Sequence, residues 1–148
     1  MEPEFEMLRE MLMSGAENVR RDLSPTDDWM PIAILQTDIG PVPVFVGSDD
    51  WIGGVLHAIE LTNATAIGMA MTVWMSHDPT LQPSLDPGAE EHLFIWIADK
   101  REQQGWSARI VRPDPRGEQT PPSLEPWTRA DQVEPGPHVA VLVDALSG

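Results

Sequence analysis

The chain has 148 residues, no cysteine, no tyrosine, and 24 acids against 9 bases, for a formal charge of −15. One domain with a real core is the expectation at this length. Without cysteine there is no disulfide framework, thiol nucleophile or thiolate metal site. The mean negative field also opposes direct binding to a nucleic-acid backbone or an anionic lipid surface.

The acidic start, Met1-Glu2-Pro3-Glu4-Phe5-Glu6, lacks the basic region and apolar run of a secretory signal. No stretch approaches the roughly 18 apolar residues of a membrane span. These features predict a cytoplasmic protein with no membrane partner.

The first element is a helix over 4–23. Phe5, Leu8, Leu12, Ala16, Val19 and Leu23 recur every three or four residues and form one apolar stripe. Met7 and Met11 widen it. Ser24-Pro25 ends it. Two strands follow, over 29–37 and 42–46, around Asp38-Ile39-Gly40-Pro41. Prolines at 31, 41 and 43 assign them to edge positions or strand starts.

A second helix is predicted over 49–62, capped by Ser48 or Asp49, with Ile52, Val55, Leu56 and Ile59 on its apolar face. Gly53-Gly54 would admit the close approach of another backbone. His57 falls roughly opposite the apolar face, toward solvent.

The clearest strand spans 66–76. Ile67, Met69, Met71, Val73 and Met75 point one way, and mostly small residues point the other. This predicts a central strand with a helix packed close on its small side. Residues 93–98 are apolar on both faces and read as a second central strand. Residues 106–112 alternate, and 138–143 (His-Val-Ala-Val-Leu-Val) read as the last strand. The fold class is therefore α+β: a single domain over 1–148 with a mainly antiparallel sheet of about six strands and two helices, in the order α-β-β-α-β-β-β-β. Two long proline-rich loops, 78–92 and 113–137, interrupt it, and Trp127 is expected to anchor the second.

The charge is unevenly laid out. Residues 22–99 hold twelve acids and no lysine or arginine, whereas 100–116 hold five bases, Lys100, Arg101, Arg109, Arg112 and Arg116. The basic segment has two readings. One is an edge strand that uses charge to block unwanted pairing. The other is a docking site for an acidic surface, including a second copy of the chain.

No glycine-rich phosphate loop and no Gly-x-Ser-x-Gly elbow is present. Histidine with carboxylate is the one constellation that could carry chemistry. His77-Asp78 ends one strand and Glu90-Glu91-His92 opens the next. An antiparallel hairpin would bring both groups to one end of the sheet. His77, Asp78, Glu91 and His92 then form a candidate divalent-metal site, or a histidine base with an orienting carboxylate. A solvated, pH-sensitive cluster is the alternative. Trp74 and Trp96, inside central strands, are expected in the core. Trp29, Trp51 and Trp127, at element boundaries, are loop anchors or interface residues.

Ala70-Met71-Thr72-Val73-Trp74-Met75, Pro83-Ser84-Leu85-Asp86-Pro87 and Glu90-Glu91 are followed by an apolar strand ending in Asp99 and a turn before Gly105. Over 66–106 this resembles a loosely defined family of small uncharacterised proteins of bacterial genomes and their phages. Ala89 stands where such loops usually carry an arginine. The resemblance implies a phage or mobile-element origin and no particular activity.

The function expected from all this is a non-catalytic acidic domain that binds protein, including itself, through Lys100, Arg101, Arg109, Arg112 and Trp127, with no cofactor. The alternatives are a metal-dependent hydrolase at the histidine–carboxylate cluster and a nucleic-acid mimic built on the acidic 22–99 run.

Overall fold

The computed structural model describes residues 3–45, 50–76, 80, 88–114, 116–117, 119–130 and 137–148. The elements are α1 (Pro3–Arg20), β1 (Ile32–Thr37), β2 (Gly40–Phe45), α2 (Trp51–Thr62), β3 (Ala66–Met75), β4 (Glu90–Ala98), β5 (Gln103–Val111), β6 (Ser123–Leu124), β7 (Thr128–Ala130) and α3 (Pro137–Ala145). The strands form one seven-stranded sheet in the order β2-β1-β3-β4-β5-β6, with β7 also on β5. All its pairings are antiparallel. The protein is α+β, with helices on both faces of one sheet.

α1 lies on the small-residue face. Phe5, Leu8 and Leu12 are buried against Ile34, Ala66, Ala70, Ile95 and Ile97. Burying a side chain of this size stabilises the fold by about 1.5–3 kcal/mol. The approach is as close as the strand's small side suggests. A Cβ on Gly68 would stand 2.8 Å from Leu12 Cδ1. Ser14-Gly15 does not break the helix. The stripe fails only at its end, where Val19 is 44% exposed.

The other face carries α2 and α3. Val55, Ile59, Leu142 and Leu146 pack on Ala33, Leu35, Ile67, Met69 and Trp96. The α2 cap is Asp50, whose carboxylate accepts from Gly53 N. Gly53 therefore makes room for a capping side chain rather than for a foreign backbone: a Cβ there would collide with that carboxylate. α2 ends on Asn63 in the left-handed region. His57 is exposed, as its position opposite the apolar face implies.

Three expectations are corrected. The strand expected over 138–143 is helix α3. Val139, Val141 and Val143 alternate like a strand, but Val139, Leu142, Val143 and Leu146 fit a helical period equally well, and Pro137 suits a helix's first turn. The strand over 106–112 is not at an edge, because β6 and β7 from the 113–137 segment cover β5. Trp74 is not core: it lies on β3 beyond the reach of α1 and is 59% exposed. Trp96 is buried, with Nε1 donating to Gln103 Oε1 at 2.9 Å.

Among the described residues, no helix is long and apolar enough to cross a membrane.

Candidate functional site

β3 and β4 pair with Val73 opposite His92, Trp74 opposite Glu91 and Met75 opposite Glu90. The hairpin thus brings the expected groups to one end of the sheet. His77 and Asp78 lie outside the described residues. Glu91 and His92 are described, and alternation along the strand sends them to opposite faces. Each is engaged separately. Among the described residues, no group of three or more His, Asp or Glu side chains is placed to hold a metal ion.

On the α1 face, Glu91 is buried and meets Arg112. Arg112 Nε donates to Glu91 Oε1 at 2.7 Å, and Nη2 donates to Glu91 Oε2 at 3.1 Å. Nη2 also donates to Asp28 Oδ1 at 3.1 Å. Nη1 donates to the carbonyls of Pro25 at 3.1 Å and Asp27 at 2.7 Å. A guanidinium has five N–H groups, so every donor of Arg112 is used inside the chain. The Glu91 bond raises the Arg112 pKa further. Arg112 pins the loop after α1 to the end of the sheet.

On the other face, His92 Nε2 lies 3.2 Å from Glu90 Oε2, while its Nδ1 is buried without a hydrogen-bond partner. Arg109 stands across from His92, with Nε 3.7 Å from Glu90 Oε1 and Nη1 3.5 Å from Glu125 Oε1. Lys100 and Arg101 sit at the β4–β5 turn, the opposite end of the sheet from Arg109 and Arg112. The basic segment is therefore not one patch. Two adjoining clefts flank that turn. One, of about 250 Å³, is lined by Glu4, Thr65, Asp99, Lys100, Arg101 and Ser147. Trp127 is partly buried against the cores under α1, so it anchors its loop.

Most bases are occupied. Among the described residues, Arg9, Arg20, Arg21, Arg109, Arg112 and Arg116 each stand within salt-bridge distance of a carboxylate. No ion pair is formed there by Lys100, Arg101 or Arg129.

A feature the sequence reading missed is the unequal length of neighbouring strands. β3 runs to Met75, but β1 pairs with it only as far as Ile32 opposite Ala70. The chain before Ile32 is drawn off by Trp29. That side chain is buried with Ala16, Leu93 and Ile110, and its Nε1 donates to Ala16 O at 3.0 Å. The signal was Pro31, which sits inside the expected first strand and marks where pairing stops.

Comparison with family models, curated proteins and solved structures gives no match to this chain.

Proposed function

We propose that this chain is a non-catalytic, acidic protein-binding domain, and that its partner is cationic. The observation that carries the reading is the use of the bases. Arg112 has no donor left to offer, and Arg109 lies between Glu90 and Glu125. Internal pairing neutralises most of the nine bases and leaves the larger share of 24 acids uncompensated. A surface of this kind attracts cationic partners and speeds their encounter, with strong dependence on salt. Trp74 at 59% exposed and Met30 at 76% exposed supply apolar contact, and tryptophan is over-represented among residues that dominate binding energy.

The test is co-purification from the native host beside an unrelated acidic protein of equal charge. The reading expects a basic protein retained by this chain alone and released by high salt. Retention of nothing beyond the control overturns it.

Self-association has one feature in its favour. Lys100 and Arg101 are exposed at a turn and make no ion pair among the described residues. They would meet carboxylates of a second copy. Sedimentation at low and high salt tests this, with a dimer that dissociates in salt as the expected result. Hydrolysis has weaker support, because Glu91 is committed to Arg112 on the face opposite His92. Mimicry of nucleic acid needs the acids of 22–99 on one surface, whereas Asp28 and Glu90 belong to opposite faces of the sheet.

A further inference from the structure

Among the described residues, no strand pairs with the β1 side of β3 beyond Ala70, which leaves the second half of β3 an open edge. Its direction follows from the hydrogen-bond alternation of antiparallel strands. Glu125 N donates to Arg109 O at 2.9 Å, so the odd-numbered residues of β5 turn their backbone groups outward, away from β4. The even residues of β5 then face β4. Stepping across the registers, His92 and Phe94 of β4 face β3, and Met71, Val73 and Met75 of β3 face β4. Thr72 and Trp74 must therefore turn their N–H and C=O groups to the other side. That side is the lane of β1, and β1 has already ended at Ile32. Neither residue makes a hydrogen bond there among the described residues.

The same alternation gives the outer edge of β2 a different character. It directs the backbone nitrogens of positions 41 and 43 away from β1, and both positions are proline. At those two positions the edge lacks the N–H donors that would recruit another strand. The β5 edge is covered by β6 and β7. Among the described residues, neither a proline nor a covering strand protects the Thr72–Met75 edge.

We infer that the open edge from Thr72 to Met75 accepts an extended, arginine- or lysine-bearing segment of a partner protein, which pairs with β3 in the lane that β1 vacates. The inference rests on the proposed binding function and deepens it. Pairing of this type draws affinity from main-chain hydrogen bonds and specificity from alternate side chains. The two faces of the lane differ. On the α1 face the incoming side chains meet Trp74, half exposed, with Glu91 as its cross-strand neighbour. Beyond it stand Arg112, Asp28 and Asp27, whose carboxylate accepts from Ser24 N and feels the Arg112 charge, so the cluster has three carboxylates against one guanidinium. The Asp28 side chain is 78% exposed. A cation there finds an indole face and uncompensated carboxylate together. On the opposite face the lane borders Met71, Val73 and Met75, which suit apolar side chains. The segment that fits alternates cationic and apolar residues. A second copy fits worse, because it brings its own excess of acid.

The probe is an acetylated and amidated hexapeptide of alternating arginine and valine, with a glutamate-for-arginine peptide as control. Amide chemical shifts and hydrogen exchange of the labelled full chain are followed. The inference expects the arginine peptide to slow exchange at Thr72 and Trp74, and the glutamate peptide to do nothing. Thr72→Pro removes a donor that the fold does not use. It should leave the melting temperature nearly unchanged and weaken binding by about two- to tenfold. Trp74→Ala should weaken binding by about two- to fivefold, and it serves as the test if Thr72→Pro fails to fold. Binding with shifts confined to other acidic surfaces, and unchanged exchange at Thr72 and Trp74, overturns the edge while leaving the acidic binding domain standing. No binding of the arginine peptide at low salt, together with no basic partner in the co-purification, overturns both.

Discussion

Replacing Arg112 by alanine should be among the most damaging single changes to this protein. The side chain is 24% exposed, and the Glu91 side chain it neutralises is 9% exposed. Alanine leaves Glu91 buried without its counter-ion, and it releases the carbonyls of Pro25 and Asp27 and the carboxylate of Asp28. Removing one partner of a buried pair costs about 3–5 kcal/mol. Partial exposure of Arg112 lowers this to about 2–4 kcal/mol. For a chain of this length that is a fall in Tm of roughly 5–15 °C. Arg112→Lys should recover little, because a point charge cannot reproduce the bidentate fork. The double variant Glu91→Leu/Arg112→Leu should recover a large part of the loss, since no charge is left buried alone. Thermal and urea unfolding of the four proteins read this out. A loss below about 1 kcal/mol for Arg112→Ala, or a double variant no better than the single, would show that Arg112 does not pin the loop.

Gly68→Ala should cost about 1–3 kcal/mol through overpacking against Leu12, and its cost should shrink in a Leu12→Ala background; urea unfolding measures the coupling. Pro41→Thr/Pro43→Thr should change stability by less than about 1 kcal/mol yet promote association, because it restores outward N–H donors to the β2 edge; light scattering against concentration checks it. Acid should destabilise the protein. Hydrogen bonding to Arg20 lowers the Glu17 pKa, and the Ser24 backbone N–H lowers that of Asp27. A depressed carboxylate contributes stability above its unfolded pKa and loses it as pH falls through the folded one, so Tm should decline below about pH 4.5. Glu17→Gln should flatten that decline.

The layers of the fold were legible because their patterns were long. The stripe from Phe5 to Ala16 and the large-against-small faces of 66–76 each extend over many residues, and both elements form as read. Short or two-sided patterns failed. His138 to Val143 fits two periods, and packing of Leu142 and Leu146 beside α2 chose the helix. Trp74 was misread because residue type suggests burial, whereas burial depends on where the covering helix stops. The candidate site was harder still. Sequence brought Glu91 and His92 together by adjacency, but adjacent residues on a strand face opposite ways. The partner of Glu91 is 21 positions away, a separation no local pattern encodes. The open edge of β3 depends on the lengths of two strands that are distant in sequence, so only the register reveals it.

The docking surface on β3 depends on that edge being open in the free protein. Residue-resolved amide exchange along 71–75 tests it most directly. Met71 and Val73, bonded to β4, should be protected, while Thr72 and Trp74 exchange as fast as loop amides. Equal protection at all four positions would mean that the lane is already filled, and the docking surface would not exist.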